Sequence, residues 1–259
     1  MKTLDSLVAS LLRLQIALLH ARLRLEAGTD DEALHDLRIA LQRLRSLLAP
    51  LRRAAELSPL YAAAAELGAL SAPVRDLEVL AAELDARGHR DLAAARRALL
   101  AEHYAAILAS REQERLSELL DGWPAELRQA RADGQLRGLE GLIRRRLHKQ
   151  LARLLAALAT PGYDRHRLRL LVKRVRYAGE AYPKLLGLPP RSLAMLKAAQ
   201  SVLGDWHDHF QWCLRIDREP DLEPLRPLWQ ARRDRALEAA EEDLLRLGRH
   251  LRKHAPRCE

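Results

Sequence analysis

Apolar residues return at every third or fourth position along nearly the whole chain, and that regularity restricts the fold more than any other feature. Leu34, Leu37, Leu41, Leu44 and Leu48 are one run of it. This spacing gathers side chains on one face of an α-helix and would scatter them over both faces of a strand. The residues that carry the pattern are mostly Leu and Ala, set among Arg and Glu, all strong helix formers. Aromatics are only 4% of the chain and Phe occurs once, so the residues that favour strands are scarce. The expected fold class is all-α. Helices are expected at roughly 4–26, 31–53, 58–70, 73–86, 89–119, 136–158, 164–182, 190–203, 205–217 and 221–252. Gly28-Thr29-Asp30, Ser58-Pro59, Ser71-Ala72-Pro73, Thr160-Pro161-Gly162 and Gly187-Leu188-Pro189-Pro190 supply the breaks.

The order of events then repeats. Residues 35–45 read HDLRIALQRLR and residues 166–176 read HRLRLLVKRVR, with His, Arg and the closing basic residues at matching places. The offset is 131 (166 minus 35), and Arg75-Asp76 matches His207-Asp208 at the nearly equal offset of 132 (207 minus 75). Two independent features at one offset argue for an internal duplication. The stretch DGWPAELRQARADGQ, residues 121–135, has glycine near both ends, a proline and weak periodicity. It is the expected linker between a half at 1–120 and a half at 136–259, which suggests two similar helical bundles related by an approximate two-fold axis.

On a helical wheel with His35 at zero, Arg38 falls at roughly 300°, Gln42 at roughly 340° and Arg45 at roughly 280°. The leucines fill the neighbouring arc, and Arg43 points away at roughly 80°. His166, Arg169, Lys173 and Arg176 draw the same wheel beside Leu168, Val172 and Val175. Lys197, Gln200, Gly204 and His207 fall on the same angular set once more. A cationic stripe therefore borders the packing face in each half, half-buried and mutually repelling. An anion would relieve the repulsion: arginine offers a planar donor fork, lysine a point charge, and histidine a donor on either nitrogen. The competing reading pairs each cation with a carboxylate or leaves it on a solvated face. Further basic density lies in RRRLHKQLAR, residues 144–153, which includes Lys149. Asp76 and Asp208 read either as carboxylate buttresses for nearby cations or as helix caps.

Charge points to the partner class. The net charge is +9, which favours polyanions: nucleic acid, polyphosphate or an anionic membrane face. The N-terminal segment is interrupted by Asp5, Arg13 and Gln15, and no apolar run is expected to be long enough to span a bilayer, so no membrane partner is expected. Cys213 and Cys258 form neither a disulfide framework nor a metal spacing, which suits a reduced, cytoplasmic setting. Trp123, Trp206, Trp212 and Trp229 are expected in the core or at an interface.

At these residues the chain resembles the CHAD domain, the conserved histidine α-helical domain. The family pattern is H-x-x-R-V-x-x-[RK]-R-x-R, followed by an R-D or N-D pair after L-G, given twice. His35, Arg38, Arg43 and Arg45 match the first copy, with Arg75-Asp76 as its partner. His166, Arg169, Lys173, Arg174, Arg176 and Tyr177 match the second, with Leu203-Gly204 and Asp208. Gln42 stands where a cation is usual, and His207 where the second copy often has asparagine. The resemblance implies two four-helix bundles with pseudo-two-fold symmetry around a central basic groove or pore. It also implies binding of inorganic polyphosphate and association with polyphosphate granules.

Three rivals remain. Nucleic-acid binders that ignore sequence usually carry aromatic stacking platforms, and only Tyr177 lies beside a motif. A metal at His35 and His166, or among Asp205, His207, Asp208 and His209, would sit among arginines that repel it. Phosphoryl transfer lacks a phosphate-cradling glycine loop, and the E-x-E-x-K pattern fails at Glu112, Glu114 and Leu116. The expectation is a binding module without cofactor or metal, and not an enzyme.

Overall fold

A computed structural model describes residues 2–52 and 57–254. Among the described residues every regular element is helical and no strand occurs. The chain divides into two compact units, residues 1–140 and 141–259.

The first unit holds α1 (Lys2–Ala27), α2 (Ala33–Leu48), α3 (Ser58–Leu70), α4 (Ala72–Ala86), α5 (Arg90–Arg97), α6 (Leu100–Leu108) and α7 (Arg111–Ala132). α1 packs on α2, α2 on α3, α3 on α7 and α4 on α5. Gly28 ends α1 at φ +61°, a left-handed conformation that a side chain would strain. Proline opens α3 and α4 from the first turn, where its missing N–H costs nothing. The helix expected over 89–119 is three elements, α5, α6 and the start of α7. The last begins where the Ser110 hydroxyl caps the Gln113 amide at 3.2 Å, a polar stop inside an otherwise periodic run.

The segment expected as a linker, 121–135, is instead helical through Ala132. Leu116, Leu120, Trp123, Leu127 and Ala130 form its buried edge, and Trp123 donates from Nε1 to the Gln15 side chain at 3.1 Å. That burial outweighs the hydrogen bond lost at Pro124.

α1 also corrects an expectation. Thr3–Ala27 is long and apolar enough, by length and mean hydropathy, to cross a membrane. Isolated polar residues such as Asp5 and Arg13 do not lower an average taken over many leucines far enough to prevent this.

The second unit contains most of α8 (Leu139–Ala159), then α9 (Arg165–Ala181), α10 (Pro183–Leu186), α11 (Pro190–Ile216) and α12 (Arg226–His254). Asp164 caps α9 by accepting from the Arg167 amide at 2.7 Å. α11 runs unbroken through Gly204, where a boundary between two helices was expected. Ser192, Leu196, Ala199, Leu203, Trp206, Cys213 and Ile216 lie along its buried edge, and it packs on both α9 and α12. Burial on two sides outweighs the cost of about 1 kcal/mol that a glycine imposes within a helix. α12, expected as the helix closing this half, lies along α11 with Trp229, Ala240, Leu247 and Leu251 fully buried. All four tryptophans are at most 8% exposed. Cys213 is buried as a free thiol, and Cys258 lies outside the described residues.

Candidate anion-binding site

In the first unit the cationic stripe borders a sealed leucine face. Leu34, Leu37, Leu41, Leu44 and Leu48 are at most 1% exposed, and His35, Arg38, Gln42 and Arg45 are half-buried beside them. The bend between α3 and α4 holds Arg38. Its Nη1 donates to the Gly68 carbonyl at 2.8 Å and to the Ser71 hydroxyl at 2.9 Å. Ser71, fully buried, donates in turn to the Leu67 carbonyl at 2.8 Å.

Burial pushes the Arg38 pKa down; the Asp76 and Glu78 charges oppose this, and Arg75 and Arg45 add to it. These effects place three arginines and two carboxylates within one electrostatic neighbourhood. Arg75 is tied to Glu78 at 2.7 Å, and the second Glu78 oxygen accepts the Tyr104 hydroxyl at 2.5 Å. Arg45 closes the stripe with its Nη1 3.8 Å from where a Gly68 Cβ would stand. The buried Arg45 Nε has no hydrogen-bond partner among the described residues. At Gln42, where a cation is usual, the amide donates to the Ser46 hydroxyl at 3.2 Å and so engages its own helix.

The second unit builds a tighter cluster. His166 opens α9 exposed, and its ring lies 5.1 Å from that of His207 on α11. Burial, then Arg169, then His166 and Lys173 push the His207 pKa down to about 4. His207 is therefore neutral near pH 7, and its buried Nδ1 has no hydrogen-bond partner among the described residues. Arg176 is aimed by three neighbours. Its Nε donates to Gln200 at 2.6 Å, its Nη1 to Glu180 at 2.5 Å, and its guanidinium lies 4.0 Å from the centre of the Tyr177 ring. Tyr177 is itself buried, so it supports Arg176 from beneath.

The two units share local pairings that match the sequence offsets. Arg45 meets Gly68 as Arg176 meets Gln200, and Arg75 acts on Arg38 as Arg169 acts on His207.

Other expected residues are placed differently. Arg43, Lys149, Arg174 and Lys197 are exposed, and no described contact joins them to either cluster. Asp76 is exposed on α4 and acts on Arg38 through its charge, while Asp208 is half-buried on α11 beside His207. Sequence reasoning missed Gly68, Ser71, Glu78 and Tyr104, because neutral or carboxylate supports on other helices leave no periodic mark. The spacing of Arg176 and Glu180, four residues apart, was legible. Among the described residues no group of three or more His, Cys, Asp or Glu side chains is placed to hold a metal ion.

Chemically, each cluster gathers N–H donors and positively charged side chains on adjoining helices. Such a surface suits an anion with many equivalent oxygens. The sequence profile of the CHAD domain matches residues 10–217. A solved structure, the CHAD domain from the plant Ricinus communis, superposes with a TM-score of 0.65 at 26% identity, covering 95% of this chain and 91% of that one. No curated protein sequence matches the chain. The chain belongs to the CHAD family.

Proposed function

We propose that this CHAD-domain chain binds inorganic polyphosphate and acts as a binding module rather than an enzyme. The observation that carries the reading is the cluster around His207. There His166, Arg169 and Lys173 gather around one half-buried imidazole, and burial first and then these neighbours lower its pKa to about 4. Cations built this close repel one another, and a bound polyanion would remove that repulsion. The Arg38, Arg45 and Arg75 neighbourhood supports the same reading in the other unit. Polyphosphate presents one negative charge per repeat and looks alike in both directions, which suits two related clusters. Affinity is expected to fall steeply with salt, by the counterion release familiar from nucleic acids. In this reading the protein is cytoplasmic and associates with polyphosphate granules.

Calorimetric titration with long-chain polyphosphate tests it, on the wild type and on His35→Ala/Arg38→Ala/His166→Ala/Arg169→Ala. Salt-sensitive binding that disappears in the variant, with helicity and melting temperature retained, is the expected result. No binding by the wild type would overturn it, and so would a clear preference for DNA in competition at fixed salt.

A further inference from the structure

We propose that the outer face of α1 is a lipid-docking surface, with which the protein lies on an anionic bilayer. Leu12, Ile16, Leu19 and Leu23 follow a four-three-four spacing, which lines them up over about three turns of helix. They are 45%, 68%, 52% and 51% exposed. The opposite edge of the same helix, Leu7, Leu11, Leu18 and Leu25, is at most 5% exposed. Those four are committed to the protein core, so α1 cannot leave it to cross a membrane despite sufficient length and hydropathy. An amphipathic helix held in this way offers lipid one face only, and it lies in the plane of the interface.

The charge beside the seam identifies the occupant. Arg13 and His20 flank it, at roughly 60° and 40° from Ile16 around the helix. Next to them a groove of about 150 Å³ runs between α1 and α2, lined in part by Ala17, His20, Arg24, Asp36, Ile39 and Arg43. Arg24 is already matched by Asp30 at 2.5 Å and Asp36 at 2.6 Å. Arg43 and His20 have no ion-pair partner among the described residues. Arg43 points away from the polyphosphate stripe on its own helix, so the function proposed above does not explain it.

A second copy of this chain fits the seam poorly. With Ile16 at an a position, Arg13 and His20 fall at e, and Gln15 and Arg22 at g. No carboxylate stands at an e or g position of this helix, so a second copy would offer Arg13 no opposite charge in either orientation, whereas anionic headgroups would.

The test is co-sedimentation of the full chain, without polyphosphate, with phosphatidylcholine vesicles that contain or lack phosphatidylglycerol. Binding to the anionic vesicles alone is expected. It should drop about tenfold or more in both Ile16→Ser/Leu19→Ser, which removes two aliphatic contacts, and Arg13→Glu/His20→Glu, which makes the flank of the seam acidic. Polyphosphate titration of the Ile16→Ser/Leu19→Ser variant should match the wild type. The stripe variant His35→Ala/Arg38→Ala/His166→Ala/Arg169→Ala should keep its vesicle binding, which separates failure of this proposal from failure of the polyphosphate reading. The proposal is overturned by no vesicle binding, by equal binding to neutral vesicles, or by binding lost only in the stripe variant. A dimer in light scattering that Ile16→Ser/Leu19→Ser dissociates would overturn it too, by assigning the seam to a second copy.

Discussion

His207 makes the proposed site pH-sensitive in a direction that can be worked out. In the free protein its pKa is held near 4 by burial, Arg169, His166 and Lys173. A polyanion bound against the same cations would cancel their repulsion and return the imidazole towards its ordinary value of about 6.5. Binding then takes up a proton, and affinity rises as pH falls through the window between those values. Full recovery of the ordinary value makes binding at pH 5 roughly 20-fold tighter than at pH 7; half recovery makes it roughly 3-fold tighter. The folding equilibrium of the unliganded protein moves the opposite way. The folded pKa lies below the unfolded one, so the unfolded chain binds more protons between about pH 6.5 and 4, and stability falls as pH drops through that range. The gap corresponds to about 3 kcal/mol, which solvent screening of a half-buried ring reduces to about 1–2 kcal/mol. Calorimetric titration at pH 7 and pH 5, in buffers of different protonation enthalpy, measures both the affinity change and the proton uptake. His207→Gln keeps a polar side chain but cannot titrate, and it should remove the 3- to 20-fold component estimated from this coupling. An affinity that does not change between the two pH values would refute the reasoning. So would an unchanged pH dependence in His207→Gln.

The supports of the site carry further expectations. Ser71→Ala removes one of the two acceptors that hold Arg38, and should lower stability by about 1–2 kcal/mol in thermal melting. The same change should weaken polyphosphate binding several-fold, since Arg38 is then aimed by the Gly68 carbonyl alone. A wild-type polyphosphate affinity in Ser71→Ala would remove the bend from the site. Gly179→Ala tests the contact between α9 and α11, because its Cβ would stand 2.4 Å from Leu193 Cδ2. Leu193 is only half-buried and its tip can swing aside, so the expected cost is about 1–2 kcal/mol by chemical denaturation rather than loss of the fold.

The sequence by itself determined the helical class, the two basic helices and the face each presents. The wheel placed Arg38 and Arg45 beside the leucines and turned Arg43 away, as the structure has them. It also put Gln200 and His207 on one face of α11, and both meet the α9 stripe. These features were legible because each is set by the phase of one helix, which the order of apolar residues fixes locally. Tertiary structure decided what local signals could not. Trp123 and its buried neighbours carry α7 through Pro124, and packing on two sides carries α11 through Gly204, because burial outweighs the preference of one residue. Gly68, Ser71 and Glu78 came to the first cluster from other helices. The depressed His207 pKa in the second depends first on burial and then on Arg169, His166 and Lys173, which α9 brings to α11. The outer seam of α1 was likewise invisible. Its leucines and the buried ones share one periodic run, and only the packed neighbours distinguish the face that is covered from the face left open.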